Sequence, residues 1–490
     1  MTHHHPAGTV AAVDLGATSG RVILGHVGPH ELTISTVARF ANGPLAINEN
    51  GRPALHWNIA ELYRNVIAGL GVAIAAAPET QSIGVDSWAV DYALMRGGRM
   101  LQLPYHYRDA RTCAAADQTH AHLGITGYSR ADLYATNGLQ FLPFNSLYQL
   151  GADRAAGALD GADQLLLVPD LLNYWLTGSV VAERTNASTT GLLNVHSREW
   201  DDDLIARLGL PRTLFPPLID AGTGLGTVLP AVAHEIRSRG TLAVTAVGSH
   251  DTASAVVAIP SDADDCAYIS CGTWALVGVE VDSPVLTEQA RLANFTNEGG
   301  VDQRVRFLHN VMGLWLLSES VRTWERQGMS IDLTALLAQA AAVDDVVAVF
   351  DVDDPCFLIP GDMPDRISTY CRERGLPVPR TPAEFTRSIL ESLAEAFARG
   401  VAQAGELSGR SISVIHLLGG GSQNQLLCQL TATRSGLPVL AGPVEATAIG
   451  NVLVQARTAG LVTGSLESLR SLVAHSFEPR RYEPARSLVR

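Results

Sequence analysis

The sequence predicts an α/β protein of two domains, and three observations carry that expectation. The chain has 490 residues, more than one ordinary core fills, so two domains of about 200–250 residues are expected. A strand–turn–strand unit opens the chain at 9–27 and has an echo at 267–281. A late strand, 412–418, runs into Gly419-Gly420-Gly421 and then a helix from Gln425. That arrangement presents backbone N–H groups to a phosphate or lets a nucleotide approach closely. The expectation is a duplicated domain, one copy over 1–243 and the other over 244–490; a chance likeness of two β-hairpins is the alternative.

Residues 9–14 are an apolar run ending in an acid, 15–20 a turn of Gly, Ser and Thr, and 21–27 and 32–40 two further strands. A helix follows at 60–77. Residues 82–86 form a buried strand that again ends in an acid, and another strand starts at 92–95. The stretch 109–203 reads as mostly helical. Residues 215–226, rich in Pro and Gly, read as a surface crossing. A strand at 243–248 leads into a helix at 250–259, and strands 267–270 and 275–281 flank the turn Cys271-Gly272-Thr273-Trp274. The best-marked element is late: Thr381 is an N-cap, Pro382 suits the first helical position, and Glu384 completes a capping box. Phe385, Ile389, Leu393, Phe397 and Val401 recur at helical spacing, and Gly409 lies just past the end.

Apolar residues make up 47% and charged residues 17%, a globular composition. The formal charge of −14 is spread along the chain and argues against nucleic acid and anionic membrane as partners, since both need a basic footprint. An anionic substrate then has to be held by backbone N–H groups, a metal or a few arginines. The longest apolar run, 66–77, is shorter than the ~18 residues of a membrane span. His3, His4 and His5 sit in a segment without a signal core; it reads as a disordered leader, with metal binding as the alternative. Six cysteines without a Cys-x-x-Cys pair read as reduced thiols of a cytoplasmic protein, a Cys356–Cys371 bridge staying open. Monomer and homodimer are both open.

Two segments carry candidate chemistry. In Asp14-Leu15-Gly16-Ala17-Thr18-Ser19-Gly20-Arg21, small residues between two strands permit a hairpin whose N–H groups and hydroxyls cradle phosphates. Asp14 at the strand end suits a hydrated Mg²⁺, which takes only one or two carboxylates. A plain β-turn is the bland reading. In Gly248-Ser249-His250-Asp251-Thr252, an acid stands at a strand-to-helix junction, where it can act on a substrate beyond the strand end. The helix start favours its negative charge. The competing reading is that Asp251 or Ser249 simply caps the helix. His250 is read as a substrate hydrogen-bonding group. Gly84, beside Asp86, would let a ligand reach the backbone, with a structural strand end as the equal alternative. Arg108 and Arg111 read as a surface ion-pairing loop, and Asn310 as either a ligand group or the cap of an apolar helix.

These motifs occur in an order that resembles the FGGY carbohydrate kinases. The matching phrases are 13–21, Gln140-Phe141-Leu142-Pro143-Phe144-Asn145-Ser146-Leu147-Tyr148-Gln149-Leu150, 249–256, Asn297-Glu298-Gly299-Gly300, Met312-Gly313-Leu314-Trp315-Leu316-Leu317 and Gly442-Pro443-Val444-Glu445-Ala446. The similarity runs from about residue 9 to about 480. It implies two actin/hexokinase-like (ribonuclease H-like) α/β domains with a central interdomain cleft. It implies that Ala17, Thr18, Ser19, Gly20 and Arg21 hold ATP phosphates, and that Thr273 and Gly420 contact the nucleotide. Ser318 stands where the family's Gln is expected; its shorter side chain either loses a direct nucleotide contact or leaves it to water. Gly84, His250, Asp251, Thr252 and Asn310 are implied at the sugar, with Asp251 the proton acceptor. The implied reaction moves a phosphoryl group from MgATP to the C1 hydroxyl of a small ketose, L-rhamnulose. Rival readings are a kinase of L-fuculose, xylulose or glycerol, and a non-catalytic nucleotide-binding protein of the actin/Hsp70 fold. A Rossmann oxidoreductase fits poorly, because Gly16 and Gly20 lie between two strands instead of opening a helix.

Overall fold

The computed structural model describes residues 7–49, 51–261 and 263–485; His3, His4 and His5 lie outside the described residues. Two compact units interleave along the chain. The first comprises 1–262, 280–306 and 446–476, and the second 263–279, 307–445 and 477–490.

The first unit is built on a six-stranded sheet in the order Gly224–Thr227, Ala243–Thr245, Ser82–Ser87, Gly8–Leu15, Ser19–Gly28, Glu31–Ala41. Gly8–Leu15 and Ser82–Ser87 are buried along their whole length, as central strands covered on both faces must be. Their pairing is parallel and sets Asp14 beside Asp86, so the two acids that end the strands become neighbours. Antiparallel pairing with Ser19–Gly28 sets Asp14 opposite Arg21. Ala243–Thr245 pairs in parallel with Ser82 and Ile83. The expected cut at 243/244 therefore falls inside the first unit: an alternation that looks like a new domain in the sequence supplies the strand next to Ser82–Ser87 in the first sheet.

Helix Ile59–Ala76 packs on this sheet through Leu62, Val66, Ile67, Leu70 and Ala73. At Gly69 an added Cβ would strike Val22. Length and composition would let this helix cross a membrane; the contiguous-run reading missed it because Arg64 and Asn65 interrupt the run. Its buried face is that of a core helix. The middle of the unit is helical as expected, with Arg111–Ile125, Arg130–Asn137, Ser146–Ala155 and Val168–Thr177, and has an apolar core of its own around Leu147, Leu165, Leu192 and Trp200. The Tyr107–Thr112 segment is no surface loop. Arg108 is buried, and Arg111 pairs with buried Asp153 while lying over the Tyr105 ring.

The second unit repeats the plan. Its sheet has seven strands, in the order Thr296–Gly299, Val305–Val311, Ala275–Val281, Cys266–Cys271, Val414–Leu418, Val439–Ala441, Arg480–Tyr482. Cys266–Cys271 is antiparallel to Ala275–Val281 and parallel to Val414–Leu418, as Gly8–Leu15 is to Ser19–Gly28 and Ser82–Ser87. The repeat thus begins at 266. The late helix is Pro382–Ser408. Thr381 Oγ1 accepts the Glu384 N–H at 3.2 Å, and Gly409 takes the left-handed conformation at its end, φ 70°. Asn310 caps nothing: it lies within strand Val305–Val311, and the apolar helix starts later, at Trp315. All six cysteines are free thiols, so Cys356 and Cys371 are not bridged.

Candidate active site

In the first unit the strand Ser82–Ser87 ends beside the turn that leads into helix Asp251–Val257, with the Ser87 N–H donating to the Ser249 carbonyl at 2.9 Å. Glu183 holds that turn. Its Oε2 accepts from the Ser249 N–H at 3.0 Å and the Ser249 hydroxyl at 2.8 Å, and it also accepts the Thr185 N–H at 3.0 Å. Burial pushes the Glu183 pKa up, and these donors oppose the shift. The role of Glu183 is invisible in the sequence, because its partner lies 66 residues away.

The capping reading of Asp251 fails. His250 occupies the cap position without a side-chain cap bond, and the Ser249 hydroxyl is committed to Glu183. Asp251 opens the helix with its side chain 29% exposed. Its Oδ1 accepts from the Thr252 hydroxyl at 3.1 Å and lies 3.4 Å from His250 Nε2. Among the described residues Oδ2 makes no hydrogen bond. Asp14 and Asp86 differ from it. Asp14 is buried, with Oδ2 2.9 Å from Arg21 Nε. Asp86 is wholly buried; burial first, then the carboxylates of Asp14 and Asp251, push its pKa well above the usual range and favour its protonated form. Of the three acids, Asp251 alone combines an uncommitted oxygen with access to solvent.

The sequence-predicted residues fall into groups. Ala17 and Ser19 are half-buried and Thr18 is exposed in the turn between the first two strands. The turn is closed by the Gly16 N–H to the Ser19 carbonyl at 2.9 Å. Gly20 is a glycine because a Cβ would run into the Phe40 ring, and Arg21 is engaged by Asp14. Gly84 faces helix Ala446–Thr458: an added Cβ would lie 2.6 Å from Asn451 Oδ1, 2.7 Å from Gln455 Nε2 and 2.8 Å from Val247. Close packing is thus its reason for being glycine, and that side has no room for a ligand. Asn451 also donates to Asp86 Oδ2 at 2.5 Å and to the Gly84 carbonyl at 3.2 Å.

In the second unit, Thr273 and Gly420 belong to adjoining turns. The Trp315 N–H donates to the Thr273 carbonyl at 3.1 Å, which sets helix Trp315–Arg326 on that turn, and Ser318 lies one turn along it. Gly421 and Gly419 crowd Cys271, where Gly421 would bring a Cβ onto the sulfur, while Gly420 is exposed with open space before it. The glycine run therefore serves two ends: its flanks allow close packing, and its middle residue offers an open backbone.

Sequence reasoning missed a strained turn beside the Ser82–Ser87 strand. Val90 has φ 65°, an outlier for a β-branched residue. Its carbonyl accepts from the Ser146 hydroxyl at 2.5 Å. Gln149 donates to Asp91 at 2.8 Å, as do the indoles of Trp57 at 2.6 Å and Trp88 at 3.1 Å. The 140–150 phrase is thus the clamp on this turn.

Family models describing the N-terminal and C-terminal domains of the FGGY carbohydrate kinases match residues 9–258 and 267–459. The chain belongs to the FGGY family of carbohydrate kinases. Among FGGY relatives, it is 42% identical to a rhamnulokinase of Pectobacterium atrosepticum over 480 residues, 97% of this chain and 93% of that one. It is 40% identical to a rhamnulokinase of Bacteroides thetaiotaomicron over 476 residues, 96% and 95% of the two chains. The fold is shared with a xylulose kinase from Rhodospirillum rubrum, with TM-score 0.73, 19% identity and 98% and 95% coverage of this chain and that one. It is also shared with Plasmodium falciparum glycerol kinase with ADP, with TM-score 0.74, 14% identity and 98% and 94% coverage. An FGGY kinase acts on a small-molecule sugar and transfers a phosphoryl group to it, which removes the oxidoreductase and non-catalytic readings.

Proposed function

We propose that this FGGY kinase transfers the γ-phosphoryl group of ATP to the C1 hydroxyl of L-rhamnulose, forming L-rhamnulose 1-phosphate and ADP, with Asp251 as the base. The observation that carries the proton step is Asp251 Oδ2, which makes no hydrogen bond among the described residues and belongs to a side chain 29% exposed, whereas Asp14 is paired with Arg21 and burial pushes Asp86 toward its protonated form. The sugar is read from the near-full-length likeness to rhamnulokinases.

In this reading Asp251 Oδ2 accepts the hydroxyl proton as the phosphoryl group moves in line. Thr252 and His250 hold the other carboxylate oxygen, and the His250 ring and Asn310 are assigned to the sugar. Ala17 to Arg21, Thr273, Ser318 and Gly420 are assigned to the nucleotide. Gly84 is withdrawn from the sugar, since Asn451 and Gln455 fill the space before it.

Among the described residues no three His, Cys, Asp or Glu side chains form a metal cage. An ion carried on the nucleotide needs no such cage, since Mg²⁺ keeps waters and takes few carboxylates. Asp14, already facing Arg21, would hold such an ion through water. Mg²⁺ bound there would offset phosphate charge.

An ADP-release assay with L-rhamnulose, L-fuculose, xylulose and glycerol tests the assignment. L-rhamnulose is expected to give the highest kcat/KM by roughly 100-fold, about 2.7 kcal/mol in transition-state binding. A higher value with any of the others assigns the enzyme to that sugar instead.

A further inference from the structure

Behind Asp251 lies a buried ionic network that the reaction as written does not use. Arg306, whose side chain is wholly buried, sits at the start of strand Val305–Val311. Its Nε donates to the Gly299 carbonyl at 3.0 Å. Its Nη2 lies 3.0 Å from His250 Nδ1 and 3.1 Å from Glu298 Oε2. His250 is buried too, and its other nitrogen, Nε2, is the one 3.4 Å from Asp251 Oδ1. The chain of contacts therefore runs Glu298, Arg306, His250, Asp251.

A guanidinium has donors only. At 3.0 Å from Nδ1 it needs a lone pair there, so the ring proton must sit on Nε2. Glu298 Oε2, 3.3 Å from the same Nδ1, would draw the proton the other way, but it is already met by Arg306 at the shorter distance of 3.1 Å. A group on the far side of a histidine commonly fixes its tautomer in this way. The matching phrase Asn297-Glu298-Gly299-Gly300 supplies both Glu298 and the carbonyl that Arg306 uses, while the buried Arg306 Nη1 makes no hydrogen bond among the described residues.

We propose that Arg306 is a positioning residue for phosphoryl transfer: by donating to His250 Nδ1 it places the ring proton on Nε2, toward Asp251 Oδ1, and so leaves Oδ2 for the acceptor hydroxyl. The inference rests on the reading of Asp251 as the base. With the proton on Nδ1 instead, His250 would turn a lone pair toward a carboxylate oxygen, and the two would repel.

The direct test is ¹⁵N NMR of histidine-labelled enzyme without substrate, the His250 signals being assigned by their loss in His250→Gln. A protonated Nε2 and a bare Nδ1 are expected; a proton on Nδ1 overturns the proposal. Arg306→Met should lose the tautomer preference. Its kcat should fall roughly 100-fold with the KM values for ketose and ATP within about threefold, the effect of a misplaced reacting group. A folded Arg306→Met enzyme with wild-type kcat overturns it equally. If that variant does not fold, the wild-type tautomer decides the matter. The tautomer is read without any sugar, so failure of L-rhamnulose to react bears on the substrate assignment alone.

Discussion

The two units share one sheet plan but end their strands differently. In the first, the ends carry Asp14 opposite Arg21 and beside Asp86. At the matching places in the second stand Ser270, opposite Leu276, and Leu418 beside it, with the Gly419 turn following. One end is charged and largely dry; the other is neutral and shaped by glycines. Cys271 makes the contrast sharper: burial pushes its thiol pKa far up, so it acts as a small apolar residue under Gly421. The comparison teaches that a duplicated fold need not duplicate its chemistry. In this account the proton is handled in the first unit, and the second contributes an open backbone at Gly420.

The hardest way to break this comparison is Asp251→Asn. It should fold with unchanged thermal unfolding yet lose roughly 1000-fold or more in kcat, within what a general base contributes; ADP release beside a melting curve checks it. Next is Glu183→Ala, which strands the buried Ser249 and Thr185 N–H groups. It should cost about 3 kcal/mol in urea unfolding and lower kcat by displacing Asp251.

The dry charges of the first unit should also show in pH dependence. Burial lifts the Asp91 pKa to about 7, above its unfolded value of about 3.9, so the folded state holds the proton more tightly. That stabilisation is fully present below about pH 4 and is lost as pH rises through about 7. Urea unfolding at pH 4.5 and 8 should show Asp91→Asn losing less stability than wild type over that rise, by roughly 2–4 kcal/mol. Equal losses would remove Asp91 as the cause. The smallest effect is expected in the second unit. Gly420→Ala meets no atom within 4 Å, so its stability should change by less than about 0.5 kcal/mol, while the KM for ATP rises.

Elements were legible wherever local chemistry decides them. The cap at Thr381, the glycine stop at Gly409 and the acid-ended strands appear close to where periodicity and turn residues put them. What escaped depends on long-range partners. Ala243–Thr245 looks like the start of a domain until its pairing with Ser82 and Ile83 is seen. Gly84 looks open until Asn451, 367 residues on, is placed against it. Asn310 has a cap's identity but lies in a strand. At the site, Asp251 and its neighbours could be named from the motif. Glu183 and Arg306, which hold them, could not, because no local pattern marks an acid or an arginine destined for burial.

Calorimetric titration of a non-hydrolysable ATP analogue into wild type, Asp251→Asn and Gly420→Ala tests the division of labour between the units most directly. Affinity should stay within about threefold of wild type for Asp251→Asn and weaken roughly tenfold for Gly420→Ala, about 1.4 kcal/mol. Weakened binding in Asp251→Asn together with unchanged binding in Gly420→Ala would contradict it.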